Sequence, residues 1–307
     1  MRICSLLPSA TEIVYALGLG DQLVGVSHAC DYPAGASAKP VVSRGLRQIT
    51  HLESSEIDAI IRQSRANGNP LYWIDGELLR ELKPDLIITQ ELCEVCAISS
   101  GSVFETAAKV LDYTPEILTV RPNTLEDILK NVRNIAVAGR VPERGRELET
   151  SLRQRVHRVS AEVADLPGKP RVLCLDWLDP LRNTGQWLPE LVELAGGLED
   201  LAVKGGLSRE LTWLEVVEYG PEYLMVMPCA FGPERGRAEA LETLPAHPGW
   251  GELPAVRDGK VFLFDGTVPS RHGPRVVDVL EGLAEALYPE KFEGLTPPGI
   301  FEKRPIF

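Results

Sequence analysis

TLEDILKNVRNIAVAGRVPERGRELETSLRQRVHRVSAEVADL, residues 124–166, is the stretch on which the fold turns. Leu125, Ile128, Leu129, Val132, Ile135 and Ala136 recur at helical spacing. Pro142 stands where a proline suits a first helical turn, because it brings no N–H to satisfy there. Leu148, Leu152, Val156, Val159 and Val163 continue an apolar stripe through highly charged sequence. The spacing predicts helix from Thr124 to about Leu166 almost without a break. Between two halves rich in strand–helix units, so long a helix suits a rigid spine joining two lobes; a long surface helix within one domain is the alternative. The expected division is an N-terminal lobe over residues 1–138, a connecting spine over 139–167 and a C-terminal lobe with a tail over 168–307.

On either side, short apolar runs alternate with helix-like stretches, which points to an α/β fold with parallel sheets in two Rossmann-like lobes. Strands are expected at Arg2–Leu6, Leu23–Val26, Asp85–Thr89 and Glu116–Val120 in the first half, and at Pro170–Asp176, Tyr223–Met227 and Lys260–Phe264 in the second. Ser9-Ala-Thr-Glu12 and Thr212-Trp-Leu-Glu215 read as capping boxes, and Ser102-Val-Phe-Glu105 as a helix cap. Helices are expected near Pro189–Ala195, Trp213–Tyr219, Glu234–Leu244 and Pro274–Leu287. Leu82-Lys-Pro-Asp-Leu-Ile-Ile88 is echoed by Tyr219-Gly-Pro-Glu-Tyr-Leu-Met-Val226, each a helix end, a proline–acid pair and a buried strand. Two similar halves joined by a spine imply a cleft lined by loops at strand ends.

The 307 residues are 44% hydrophobic and 25% charged, with a formal net charge of -12, ordinary for a globular chain of acidic surface. Such a surface repels phosphate backbones and anionic membranes, so neither nucleic acid nor a membrane is an expected partner. No apolar stretch is long enough to span a bilayer. Met-Arg-Ile-Cys-Ser-Leu-Leu-Pro lacks the apolar core of a signal peptide, so a cytoplasmic location is expected, or a periplasmic or cell-surface one if a signal has been removed. Six cysteines are too few for a disulfide scaffold. No nucleophile elbow, phosphate loop or His-Glu-x-x-His stands in the sequence, so no catalytic residue and no catalytic cofactor are assigned.

Several stretches taken in order resemble the class III periplasmic (substrate-binding) proteins of ABC importers. Ile3-Cys-Ser-Leu-Leu-Pro-Ser-Ala-Thr-Glu-Ile13 is similar to their first strand and helix. Val24-Gly-Val-Ser-His-Ala-Cys-Asp-Tyr-Pro33, Leu82–Ile88, Leu253-Pro-Ala-Val-Arg-Asp-Gly-Lys-Val-Phe262 and Gly273-Pro-Arg275 follow in the family's order. The resemblance covers essentially the whole chain and is nearest to the cobalamin-binding branch among the cobalamin and iron-siderophore binders. It implies a class III fold, capture of cobalamin or a related corrinoid without chemistry, membrane subunits of an importer as partners, and a monomer. Three departures stand out: the missing signal, an insertion over Leu46–Pro70 with an extra helix near Glu56–Arg65, and Glu91-Leu-Cys-Glu-Val-Cys-Ala97.

Residues just past the strand ends are the expected ligand contacts. They are Pro8, Ser9, Tyr32, Arg44 and Glu91, with Asp31 and Gln90 beside them, then Trp177, Trp187, Phe231 and Arg271, with His272 beside them. Aromatic side chains offer flat apolar area suited to a macrocycle, and the arginines suit carboxylates or a phosphate. For Trp177, read as lying in a loop, the plainer alternative is packing under its own loop; for Arg275, at a helix start, a structural role is the stronger reading. The resemblance implies transporter docking through Glu77 and Glu215, which as helix first-turn acids also have a local role. Cys93 and Cys96 admit buried thiols, a redox or ligand-contacting pair, or a metal site completed by His28 and Cys30. The expectation is no tightly bound metal and no catalytic thiol. Two other functions remain open: a cytoplasmic corrinoid, haem or siderophore carrier or sensor of the same fold, and a thiol- or metal-dependent enzyme centred on Cys93 and Cys96.

Overall fold

The computed structural model describes all residues except 46–51, 68–71 and 91–99. The chain forms two compact units. Unit one comprises Met1–Pro122, Glu126–Ser151 and His272–Pro274; unit two comprises Asn123–Leu125, Leu152–Arg271 and Arg275–Phe307.

Unit one begins with β1 (Ile3–Ser5), α1 (Pro8–Ala16), β2 (Leu23–Val26), β3 (Ser43–Gly45), α2 (Ser54–Ala66) and β4 (Tyr72–Ile74). It continues with α3 (Gly76–Leu82), β5 (Leu86–Gln90), α4 (Ser100–Val110), β6 (Glu116–Val120) and, from its second residue on, α5 (Leu125–Ala138), and includes the first part of α6 (Pro142–Val163). A parallel sheet runs in the order β2-β1-β5-β6, and β3 and β4 form a separate antiparallel ribbon. The central strands β1 and β5 are wholly buried, as apolar runs covered on both faces must be. The helix in the 46–70 insertion is α2, longer than expected.

Unit two contains β7 (Val172–Leu178), β8 (Leu181–Asn183), α7 (Leu188–Leu194), α8 (Trp213–Tyr219), β9 (Tyr223–Val226) and α9 (Pro233–Thr243). It ends with α10 (Pro254–Arg257), β10 (Val261–Leu263), α11 (Val276–Leu287) and α12 (Pro289–Phe292). Its sheet runs β10-β9-β7-β8, parallel except for the β7–β8 hairpin. These are the mixed parallel sheets and flanking helices that the alternating pattern predicts.

Three local readings are corrected. The helix expected to run on from Thr124 breaks at Gly139–Val141, where Arg140 takes φ 60 and the amides of Gly139 and Val141 return to Ile135 O and Ala136 O. That left-handed residue closes α5 before Pro142 opens α6. The first capping box is absent: α1 starts at Pro8 after Leu7 as N-cap, with no side-chain cap, so Ser9 lies inside the helix. Proline at the first helical position itself removes one orphan amide. The expected cap at Ser102 also lies within a helix, because α4 starts at Ser100. Thr212 and Glu215 do form a capping box on α8.

Leu152, Val159 and Val163 of α6 are buried, and Arg155 and Arg158 between them are matched by acids. Within unit two, Arg155 donates to Glu281 Oε1 at 2.9 Å and to Asp278 Oδ1 at 2.5 Å on α11, and Arg158 reaches Glu281 Oε1 at 3.2 Å. In unit one, Gly145 lets α6 approach α5: a Cβ there would meet Ala136 Cβ at 2.3 Å. Among the described residues no helix is long and apolar enough to cross a membrane.

Candidate functional site

In unit one the residues past β1, β2 and β5 gather at the carboxyl ends of the parallel strands, where α/β sheets bind ligands. Pro8 opens α1 and is partly exposed. Ser9 is 2% exposed, its hydroxyl 3.2 Å from His272 Nε2. The same nitrogen lies 3.0 Å from Gln90 Oε1 at the end of β5. Burial lowers the His272 pKa to about 4, so the ring is neutral at pH 7. Tyr32 is 47% exposed. Arg44, on β3, is exposed and bonds Asp75 Oδ2 at 3.3 Å, while Asp75 Oδ1 caps α3 through Leu78 N. Glu91, Cys93 and Cys96 lie outside the described residues.

His28 and Cys30 follow β2. Cys30 is buried, its thiol 3.1 Å from both Thr11 Oγ1 and Ser27 Oγ, whereas His28 is exposed, with Nδ1 2.9 Å from Ser43 Oγ. Among the described residues no three His, Cys, Asp or Glu side chains are grouped to hold a metal ion.

Unit two builds its strand-end surface differently. Trp177, expected in a loop, is part of β7, because pairing with β8 prolongs the strand past Asp176; the register shifts between Leu175 and Trp177. Its indole N–H donates to Asp179 O at 3.0 Å and its ring tilts against Phe231, centroids 5.2 Å apart at 51°. Phe231 is 7% exposed, and the Arg235 guanidinium lies 3.7 Å above its ring. The loop carrying Phe231 is held by Cys229 N to Asp176 O and Ala230 N to Gly266 O, with Ala230 at φ 63. Glycine is required at 266: a Cβ there would lie 1.8 Å from Pro228 O.

The structure buries Trp187, also expected to face ligand: it is 3% exposed and donates its indole N–H to Pro269 O at 3.1 Å. Arg271 is partly exposed, its amide bonded to Val268 O. One residue before Trp177 on β7, desolvation holds the Asp176 carboxyl well above its usual pKa, against the opposing pull of Arg182 and a Ser208 hydrogen bond. Burial likewise raises Glu199 to about 8, although its Oε1 accepts the Cys174 amide at 2.8 Å. Glu199 is therefore protonated at neutral pH.

The two acids of interest for docking differ. Glu77 is exposed in the first turn of α3. Glu215 uses one oxygen on the Thr212 amide and hydroxyl and the other on Arg209 Nη1 at 2.8 Å.

Sequence reasoning missed Arg235, which reads as one charge among several in Pro-Glu-Arg-Gly-Arg237; only the phase of α9 puts it over Phe231. It also missed Ser43 and Tyr72, whose three-residue strands are too short to show periodicity.

A sequence profile described as "Periplasmic binding protein" matches residues 3–267. The chain belongs to that family. This periplasmic binding protein is 26% identical over 307 residues to YvrC of Bacillus subtilis, described as an ABC transporter substrate-binding lipoprotein, with 95% of this chain and 81% of the relative covered. It is 27% identical over 288 residues to the vitamin B12-binding protein of Photorhabdus laumondii, covering 94% of this chain and 88% of the relative. Among solved structures it is similar to the periplasmic heme-binding protein RhuT of Roseiflexus sp. RS-1, at TM-score 0.70, 23% identity and coverage of 94% of this chain and 98% of that one. It is similar also to the vitamin B12-binding protein BtuF of Vibrio cholerae, at TM-score 0.65 and 24% identity, covering 94% and 97%. The fold is thus the class III type. As a family member the chain is a solute-binding protein of the kind that serves ABC importers, working with membrane subunits. The cytoplasmic expectation finds no support here: the relatives named are lipoprotein or periplasmic binding proteins, which fits a periplasmic or cell-surface protein.

Proposed function

We propose that this periplasmic binding protein captures cobalamin or a related corrinoid and delivers it to an ABC importer without transforming it. The observation that carries this reading is the aromatic platform of Trp177 on Phe231 at the strand ends of unit two. A partly exposed tryptophan near the end of a paired strand offers large flat apolar area with little rotamer entropy left to lose. The vitamin B12-binding relatives support the same ligand. The strand-end residues of unit one, Pro8, Ser9, Tyr32, Arg44 and Glu91, with Arg271 of unit two, are proposed as further ligand contacts, and Glu77 and Glu215 as docking acids. Trp187 is proposed as a contact on the same footing as Ser9, both being buried in this structure.

The guanidinium of Arg235 above Phe231 favours a second reading of the same surface, in which the ligand is a carboxylate-bearing macrocycle such as haem. Titration of the purified protein with cobalamin, haem and a ferric siderophore, followed by absorbance and tryptophan fluorescence, separates the two. Saturable one-to-one cobalamin binding, weakened more than about tenfold in Trp177→Ala, is expected. Tight haem binding with no cobalamin binding overturns the corrinoid reading in favour of the second.

A further inference from the structure

β10 stands at the edge of unit two's sheet, and the last residues of the sequence lie along it. The amide of Asp265 donates to Ile300 O at 2.9 Å, that of Glu302 to Leu263 O at 2.8 Å and that of Ile306 to Val261 O at 2.9 Å. Phe264 and Phe301 face each other in an antiparallel bridge. Residues 300–307 thus act as one more strand, interrupted over 303–305, where Pro305 has no N–H to offer. Their side chains are seated as well. Ile300 and Ile306 are buried. Phe301 stacks on Phe264, centroids 5.2 Å apart with planes at 21°, and meets Phe262 edge-on at 6.3 Å. Gly282 of α11 leaves room for these rings: a Cβ there would come within 3.0 Å of Phe264 Cε1 and 3.3 Å of Phe301 Cδ1. Phe307 packs edge-on against Trp250, centroids 5.0 Å apart. Glu302 pairs with Arg237 of α9, and Lys303 with Glu285 of α11.

The chain leading into this strand is tied down separately. Both oxygens of Glu285 accept amides, from Gly294 at 3.1 Å and from Thr296 at 3.0 Å. Pro297, Pro298 and Gly299, which follow, are exposed, with Gly299 at φ 86. Residues 300–307 can therefore lift as a unit about this link while α11 and α12 stay in place. Lifting would uncover Val261-Phe-Leu-Phe264, an apolar run without a charge, together with Val261 O, Leu263 O and the Asp265 N–H. A bare strand edge of that composition pairs with another strand.

We propose that the edge of β10 is a latent interface for β10 of a second copy of this chain, and that residues 300–307 are the built-in strap that keeps it shut. The strap shows that the edge accepts an antiparallel strand. Two β10 edges meeting antiparallel about a two-fold axis satisfy the backbone groups that the strap satisfies within one chain, and such a pairing closes at a dimer. Tethering gives the strap an effective concentration of about millimolar, so a second copy loses the competition while the strap is intact.

Analytical ultracentrifugation of wild type and of a chain ending at Pro298 tests this. Wild type should keep one mass at every concentration, whereas the shortened chain should pass from monomer to dimer as its concentration rises. A peptide of residues 299–307, added in excess, should bind the shortened chain one to one and return it to monomer, while wild type, whose edge is covered, takes up none. Phe301→Ala in the peptide should weaken that binding by about a hundredfold. Should the shortened chain fail to fold, Phe301→Ala together with Glu302→Pro in the full chain loosens the strap without removing it, and the same dimer and the same reversal by peptide are expected. A folded variant that stays monomeric overturns the latent interface. Association that the peptide does not reverse runs through another surface and overturns it too. Dimerisation of wild type to the same extent as the variant would show that the strap closes nothing.

Discussion

Glu199 shows how a single side chain ties this fold to pH. Its Oε2 is buried without a hydrogen-bond partner, and its pKa rises from 4.5 to about 8. Because the folded value is the higher, the folded state holds a proton that the unfolded chain releases. The stability this proton contributes is complete below pH 4.5 and is lost as pH rises towards about 8. The expected slope is roughly 1.4 kcal/mol per pH unit within that window. Glu199→Gln should remove it: urea unfolding of the variant and wild type should diverge from pH 5 to pH 8 and run parallel above. A constant difference across that range would mean Glu199 is ionised in the folded protein. His272 acts in the opposite sense. Its pKa falls from 6.5 to about 4, so its contribution is present above 6.5 and is lost as pH falls through 4. Neither burial is legible in the sequence, since Glu199 stands in the unremarkable run Gly-Gly-Leu-Glu-Asp200. Trp177 was legible as a strand-end aromatic; its partners Phe231 and Arg235 were brought to it by loop and helix geometry. Trp177→Ala should leave the melting temperature within a few degrees of wild type while weakening ligand binding. A large loss of stability with affinity intact would make the residue core.

The helix pair α5 and α6 offers a sharper test at the level of elements. Replacing glycine by alanine within a helix ordinarily stabilises it by about 1 kcal/mol. At Gly145 the added Cβ would sit 2.3 Å from Ala136 Cβ, so Gly145→Ala should destabilise the protein by about 1–3 kcal/mol. A gain in stability would show that the two helices can separate at no cost. Glu281 of α11, 1% exposed, is matched by Arg155 and Arg158. Arg155→Met leaves a buried carboxylate underpaired and should cost about 3 kcal/mol by chemical denaturation, a loss that Glu281→Leu in the same chain should largely reverse. Element type was the legible part: strands, helices and the α8 cap follow from apolar spacing and end residues. What escaped was where helices stop. Arg140 takes a left-handed conformation that favours glycine, and Gly139 beside it does not have one, so the break was hidden.

For the whole molecule, the order of strands and helices reads well from the sequence, because a parallel sheet writes itself as buried runs separated by helical stripes. The ligand does not, because flat aromatics and arginines suit several macrocycles. Import is where the docking acids are tested. Glu77→Lys should abolish delivery to the membrane subunits in a reconstituted transport assay while sparing ligand affinity. Glu215→Lys should do the same but with lowered stability, since that carboxylate caps α8 and holds Arg209. Unchanged transport with both charges reversed would remove the docking role.

The clasp of His272 on Ser9 and Gln90 has a further bearing, on the order in which the protein is made. Its two partners lie 263 and 182 residues earlier in the chain. A ribosome extends the chain at about 5–20 residues per second, so unit one's strands emerge many seconds before the residue that buries Ser9. Until then that edge of the sheet is open to water and to other chains. A nascent chain halted before residue 272 should therefore already protect the amides of β5, which β6 pairs, and releasing the remaining residues should cover only the side chains of Ser9 and Gln90, as one of the last acts of synthesis.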